Sequence, residues 1–258
     1  MDEETWSAQA GYGVRFEWGP VGAARLVRAG AAALVVVDVL SFTTAVSVAV
    51  ERGTRVYPYP WRDGTAREFA AGQAAELAVG RREASPRAPW SLSPAALRTA
   101  PFTPRLVLPS PNGSAIAAAA RGLPVYAACL RNATAVARHL HREGLGTPER
   151  PLAVVAAGER WPDGSLRPAV EDLLGAGAVI AALAGTASLS PEAVLSPEAA
   201  LAAASATGTP DPAATVRACA SGRELADGGW PQDVEAAVEI DSSTVVPLLD
   251  GLAFGSTR

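Results

Sequence analysis

Cysteine is nearly absent. Of 258 residues only Cys129 and Cys219 are cysteine, and neither has a second cysteine at metal-ligand spacing. That count excludes a disulfide framework and a thiolate metal cluster, so two buried free thiols are expected. Aromatic side chains make up just 6% of the chain, so the core has to be built from Val, Leu and Ala, with closely packed helices. No basic block or stripe interrupts a formal net charge of −4, which argues against a nucleic-acid partner. Also missing is any uninterrupted apolar run of the roughly 18 residues that span a bilayer. The opening Met1–Thr5 is acidic where a secretory signal would be basic. No membrane partner is expected, and the cytoplasm is the expected location. A homodimer is allowed for.

What is present is a long, apolar chain, 49% hydrophobic, able to bury a full core as one α/β domain or as two similar lobes, about 1–145 and 146–258. One unit recurs along it: a short β-rich run ends in small polar residues, and an Ala-rich helical stretch follows. Ala31–Val37 reads as a buried strand closed by Asp38, with a helix over Ala45–Arg52. Arg55–Tyr59 is a second strand, followed by a helix over about Thr65–Val79. Arg81–Pro104, rich in Pro, Ser and Arg, reads as a long irregular loop or lid. Arg105–Leu108, Pro124–Cys129 and Leu152–Ala156 are further strands; helices follow them from Ala115, to about Arg142, and over Ala169–Leu183. Val14–Trp18 alternates in character and suits an edge strand. Beyond Pro191 the chain reads as variable helix, then a helix over Thr215–Ala226, then a final unit of Val234–Glu239 and Val245–Pro247. Strands alternating with helices predict a three-layer α/β/α fold around a largely parallel sheet with right-handed crossovers.

In such a sheet, ligands bind beyond the carboxyl ends of the strands. Asp38, Asn112, Asn132 and Glu159 each follow a strand. Asp38, directly after Val35-Val36-Val37, suits a Mg²⁺ ligand, because Mg²⁺ takes a few hard carboxylate oxygens plus water. The alternative is a cap on the next helix, for which Ser41, Thr43 and Thr44 are nearer candidates. Ser110-Pro111-Asn112-Gly113-Ser114 is a turn feeding a helix, where backbone N–H groups and the helix N-terminus suit a phosphate; an ordinary Asn-Gly turn is the plain alternative. Glu159 can reach the same rim as Asp38, whereas Glu171-Asp172 could simply favour a helix dipole. Together these acids could cage a metal that activates a water and neutralises phosphoryl oxygens. Arg131 and Arg160 flank strand ends and could clamp an anion. His139 and His141 read as surface residues. A haloacid-dehalogenase-type site would want a second Asp where Leu40 stands, and Asp38–Phe42 lacks the Gly-rich turn of a dinucleotide site.

Taken in order, these segments resemble the 2-phosphosulfolactate phosphatase family. Asp38-Val39-Leu40 with Thr43-Thr44 resembles its Asp-Val-Leu-Arg-Ala-Thr-Thr motif, and Ser110–Ser114 its Thr-Thr-Asn-Gly-Thr loop. Leu130–Ala133 is similar to its Phe-Leu-Asn-Ala turn. Ala157-Gly158-Glu159 and Val170–Gly177 are similar to its Ala-Gly-X-Glu and Leu-Glu-Asp-X-X-X-Ala-Gly segments; Asp233, Asp241 and Val246-Pro247 are similar to its tail. The resemblance implies Mg²⁺-dependent hydrolysis of a small anionic phosphate ester, 2-phospho-3-sulfolactate or a related phospho-hydroxy acid. Asp38 and Glu159 would be catalytic, and Asp38, Glu159, Glu171 and Asp172 would face the metal. Ser41, Thr43, Thr44, Asn112, Gly113, Ser114, Arg131, Asn132 and Arg160 would line the substrate. Departures cluster at this site: the family's motif arginine is Ser41 here, its Gly-Asn-Ser-Pro loop survives only as Ser91-Leu92-Ser93-Pro94, and Pro111 removes a donor N–H. A second reading keeps the fold and leaves a small-anion binding or regulatory protein.

Overall fold

Residues 33–37 are buried on both faces, and their alternation sets up the layers. Successive side chains of a strand point to opposite faces. Val35 and Val37 join one hydrophobic cluster, and Leu34 and Val36 join another. Val154 and Ala156 divide from Ala153 and Val155 in the same way, as do Tyr126 and Ala128 from Val125 and Ala127.

The structure is a computed structural model and describes residues 6–60, 63–120, 122–186 and 195–257. The chain runs β1 (Val14–Trp18), α1 (Gly19–Arg28), β2 (Ala33–Val37), α2 (Phe42–Glu51), β3 (Arg55–Tyr59), α3 (Gly64–Gly72) and β4 (Glu76–Leu77). A 3-10 turn at Arg81–Glu83 leads to α4 (Pro94–Thr99), β5 (Arg105–Pro109), α5 (Gly113–Ala119), β6 (Val125–Ala128) and α6 (Ala133–Arg142). After β7 (Leu152–Ala156), a small hairpin of β8 (Glu159–Arg160) and β9 (Leu166–Arg167) precedes the long α7 (Val170–Thr186). Helices α8 (Pro197–Thr207), α9 (Pro212–Ala218), α10 (Ala220–Asp227) and α11 (Pro231–Ala237) follow, and a hairpin of β10 (Pro247–Asp250) and β11 (Ala253–Ser256) closes the chain.

Nine strands form one sheet in the order β1-β7-β2-β6-β10-β11-β3-β5-β4. The block β1-β7-β2-β6 is parallel, and so is β3-β5-β4. The closing hairpin joins them by antiparallel ladders on both sides. The sheet is continuous across residue 145, because β7, β10 and β11 lie between strands of the first half. Apolar residues of α6, α7 and α8 cover one face, while those of α1, α2 and α5 cover the other, giving the expected three layers. Among the described residues no helix is long and apolar enough to cross a membrane.

Two helices fix the site. Phe42–Val50 of α2 are all buried, as a helix apolar all round must be. It packs against β3, β6, β10 and β11 and against α4 and α5, and Phe42 meets the Phe254 ring edge-on at 6.3 Å. On the other face, a Cβ at Gly177 of α7 would stand 2.1 Å from the Ala202 carbonyl oxygen of α8. Only glycine permits that approach, which seats α7 directly against α8.

Several expected elements differ. The helix predicted over Thr65–Val79 stops at Gly72, and Ala74 turns with φ of 48° so that Glu76–Leu77 can join the sheet edge. Arg81–Pro104 is not irregular throughout: it holds a 3-10 turn and α4, and Trp90 Nε1 donates to the Pro101 carbonyl at 3.0 Å. Between β7 and the helix expected from Ala169, Glu159 opens a small hairpin. The helix predicted over Thr215–Ala226 breaks at Cys219, which has extended backbone. The final unit gains a second strand, β11, that supplies the bridge between the two parallel blocks. His139 is buried beside Tyr126, ring centroids 5.5 Å apart, because it faces the sheet. Of the stretch expected to be helical after Pro191, residues 191–194 lie outside the described residues.

Candidate active site

Asp38 leaves β2 at its carboxyl end, and both its oxygens are occupied by backbone donors. Phe42 N–H donates to Oδ1 at 3.0 Å, and Gly113 N–H donates to Oδ2 at 2.9 Å. One carboxylate therefore caps α2 and α5 together. The expected caps Ser41, Thr43 and Thr44 do not do so: Ser41 makes no side-chain cap bond. Thr43 Oγ1 accepts from Asp38 N–H and donates to the Asp38 carbonyl, and Thr44 Oγ1 donates to the Val39 carbonyl. These hydroxyls brace the turn that aims Asp38. The cap role and a place in the acidic cluster belong to the same side chain.

Asp172, in the first turn of α7, ties two strand ends together. Val39 N–H donates to its Oδ1 at 2.7 Å and Gly158 N–H to its Oδ2 at 2.8 Å. Glu171 beside it is buried, with the Cys219 thiol donating to its Oε2 at 3.2 Å. Glu159, only partly buried, accepts a 3.0 Å bond from Asn112 Nδ2 on the loop after β5. Thus the loops after β2, β5 and β7 and the start of α7 meet at one place.

Carboxyl groups gathered in low-dielectric surroundings resist ionisation, and Asp38, Glu159 and Asp172 do so here. Burial first, with Glu171 adding to it, pushes Asp38 up to about 6, against the pull of the Phe42 and Gly113 N–H groups and of Arg81. Burial, then Asp38 and Glu171, raises Glu159 to about 7. Burial, then Glu171 and Asp38, holds Asp172 well above the ordinary carboxyl range. The half-exposed Cys219 thiol is pushed up to about 12 by burial and by Glu171. It and Cys129 are both free.

Sequence reasoning missed the cation of this cluster. Arg81, from the 3-10 turn, donates from Nε to Asp233 Oδ2 at 2.8 Å. Its Nη2 donates to the Leu92 carbonyl at 3.2 Å and to the Ser41 hydroxyl. Asp233, fully buried, also accepts from Ser93 Oγ and from Ala95 N–H. Nothing local marks Arg81 among the arginines of its loop.

Other expected substrate residues are committed elsewhere. Gly113 N–H points at Asp38, and Ser114 Oγ donates to the Ser110 carbonyl at 2.9 Å, so that turn closes on protein. Arg131 pairs with Glu51, at the far end of α2 from Asp38, and with Glu239. Asn132 is fully buried: Oδ1 accepts from Cys129 N–H, and Nδ2 donates to the Ala127 and Val245 carbonyls, so it fastens the C-terminal segment. Arg160 is exposed and donates to Gly164 within its own hairpin. Arg167 acts on Glu159 from that hairpin and pairs with Glu224.

Comparison with known families matches residues 25–251 to 2-phosphosulpholactate phosphatase. The chain belongs to that family. No curated protein compared with it is similar enough to count as a match. Membership in a family of 2-phosphosulpholactate phosphatases implies a phosphatase acting on a small phosphate ester. Asp38, Asn112 and Glu159, read from separate family-like segments, are drawn together in the structure. At the position of the family's motif arginine, the Ser41 hydroxyl receives the guanidinium of Arg81.

Proposed function

We propose that this chain is a Mg²⁺-dependent phosphatase that hydrolyses a small anionic phosphate ester, 2-phospho-3-sulfolactate or a related phospho-hydroxy acid. The observation that carries the reading is the meeting of Asp38, Glu159, Glu171 and Asp172, in which the charges of Asp38, Glu159 and Glu171 each act on another member. Such a cluster fits a hard divalent cation. Among the described residues no three His, Cys, Asp or Glu side chains are grouped closely enough to form a cage alone, so the fit is to Mg²⁺ held by one or two carboxylates with water. Asp38 and Glu171 would hold it, leaving Glu159 free for proton transfer. Asp172, which accepts from Val39 and Gly158, would fix the loops that carry Asp38 and Glu159. When bound, the ion would supply positive charge to the phosphoryl oxygens.

The chain's own residues do the rest. Thr43 and the two helix N-termini orient Asp38. Glu159 is partly exposed, and Asn112 holds its Oε2, so it is the carboxyl suited to giving or taking a proton at the reacting water or leaving oxygen. The test is release of inorganic phosphate from 2-phospho-3-sulfolactate and from a panel of phospho-hydroxy acids, with Mg²⁺ and after chelation. No turnover on any of them with Mg²⁺ present would sink the reading.

The absence of a compact ligand triple among the described residues favours a second reading, a protein that binds a small anion without hydrolysing it. Saturable phosphate binding without turnover in the same assay would select it.

A further inference from the structure

Arg81 is held in a way that an ordinary structural ion pair does not require. An arginine paired with a carboxylate frequently presents two parallel N–H groups to its two oxygens. Here Nε alone faces Asp233, and the second Asp233 oxygen is taken by Ser93 Oγ and Ala95 N–H. Nη2 is divided between the Leu92 carbonyl and the Ser41 hydroxyl. The Trp230 ring lies 5.9 Å from the guanidinium carbon and adds a further contact that fixes the group. Four groups from three segments therefore orient one planar cation. Nη1 has no protein partner among the described residues, and the side chain keeps 16% of its surface open. That cation acts on Asp38. Its anchor Ser41 begins the buried helix whose first N–H Asp38 caps.

We propose that Arg81 is the oxyanion-binding arginine of this site, offering its Nη1 edge to an anionic oxygen of the substrate, with Asp233 as its positioning residue. The inference rests on the phosphatase reading and names the group that takes the substrate's charge. It also accounts for Ser41: the motif position carries a hydroxyl that accepts the guanidinium, and the positive charge arrives from a residue 40 positions away. Phosphoryl and carboxylate oxygens suit that planar donor edge, which a Lys ammonium does not reproduce.

The experiment uses the full chain and two readouts. Binding of inorganic phosphate is followed by titration calorimetry at fixed Mg²⁺, and hydrolysis of 2-phospho-3-sulfolactate gives KM and kcat. Arg81→Ala is expected to weaken phosphate binding at least roughly tenfold and to raise KM by a similar factor. Arg81→Lys keeps a charge beside Asp233, and so keeps the fold by circular dichroism; it is expected to lose phosphate affinity as well, by less. The double variant Ser41→Arg with Arg81→Ser is expected to recover affinity. Unchanged phosphate binding in folded Arg81→Lys and Arg81→Ala overturns the proposal. If the parent hydrolyses the ester and both variants keep its KM, the phosphatase reading stands and Arg81 falls. If the parent binds phosphate but turns nothing over, the phosphatase reading falls and the binding series alone decides Arg81. A parent that does neither sinks both.

Discussion

Asp38 and Gly113, 75 residues apart, are joined by one hydrogen bond, the Gly113 N–H donating to Asp38 Oδ2 at 2.9 Å. The contact depends on the missing side chain: a Cβ at Gly113 would lie 2.4 Å from Phe42 Cδ1 and 2.8 Å from that same oxygen. Helix α5 can thus lie against the turn after β2 only because residue 113 is glycine.

Gly113→Ala should therefore damage both stability and turnover. Phe42 is fully buried and cannot swing away, so the overpacking should lower stability by about 1–3 kcal/mol, read from the urea midpoint. An alanine variant as stable as the parent would mean that α5 does not approach Asp38 this closely.

Asp38→Asn tests the two roles of one carboxylate. An amide can accept from Phe42 or from Gly113, but its NH2 must then oppose the other N–H. Phosphate release should fall by roughly a hundredfold or more, while the far-UV spectrum stays that of the folded protein. Full turnover would remove Asp38 from the chemistry.

The raised carboxyls make stability depend on pH in a stated direction. Burial, then neighbouring carboxylates, carries Glu159 to about 7, and burial carries Asp38 to about 6. Unfolded, both would titrate near about pH 4. Between about pH 4 and about pH 7 the folded chain binds more protons than the unfolded one, so metal-free stability should fall as pH rises through that window. Added Mg²⁺ should raise the melting temperature more at about pH 8, where the carboxylates are charged, than at about pH 5. Equal Mg²⁺ shifts at both would count against metal binding by this cluster.

Asn132→Ala should act on folding alone. Its side-chain bonds go to Cys129, Ala127 and Val245, and each buried group left unmet costs about 1–3 kcal/mol. The melting temperature should drop while KM for the phosphate ester holds. A raised KM with an unchanged melting temperature would return Asn132 to the substrate.

How much was legible beforehand follows from the range of each interaction. Strands such as Ala33–Val37 and Leu152–Ala156 are written in runs of buried aliphatic residues, a local signal. Asp38 and Glu159 stand out because each directly follows such a strand or its glycine. Arg131 and Asn132 carry the same local signal, yet their side chains turn to Glu51, Glu239 and Val245. Position after a strand fixes where a residue starts; it does not fix which neighbours arrive beside it.

By itself the sequence determined the alternating α/β plan, the three layers and the residues at strand ends, because hydrophobic periodicity and turn chemistry act over a few residues. The tertiary structure alone decided the reversed hairpin between the two parallel blocks, the capping of α2 and α5 by one carboxylate, and the arrival of Arg81 at Ser41. Each of these joins segments far apart in the chain. Such contacts form only when burying apolar surface outweighs the entropy of closing long loops, and no short stretch of sequence records that balance.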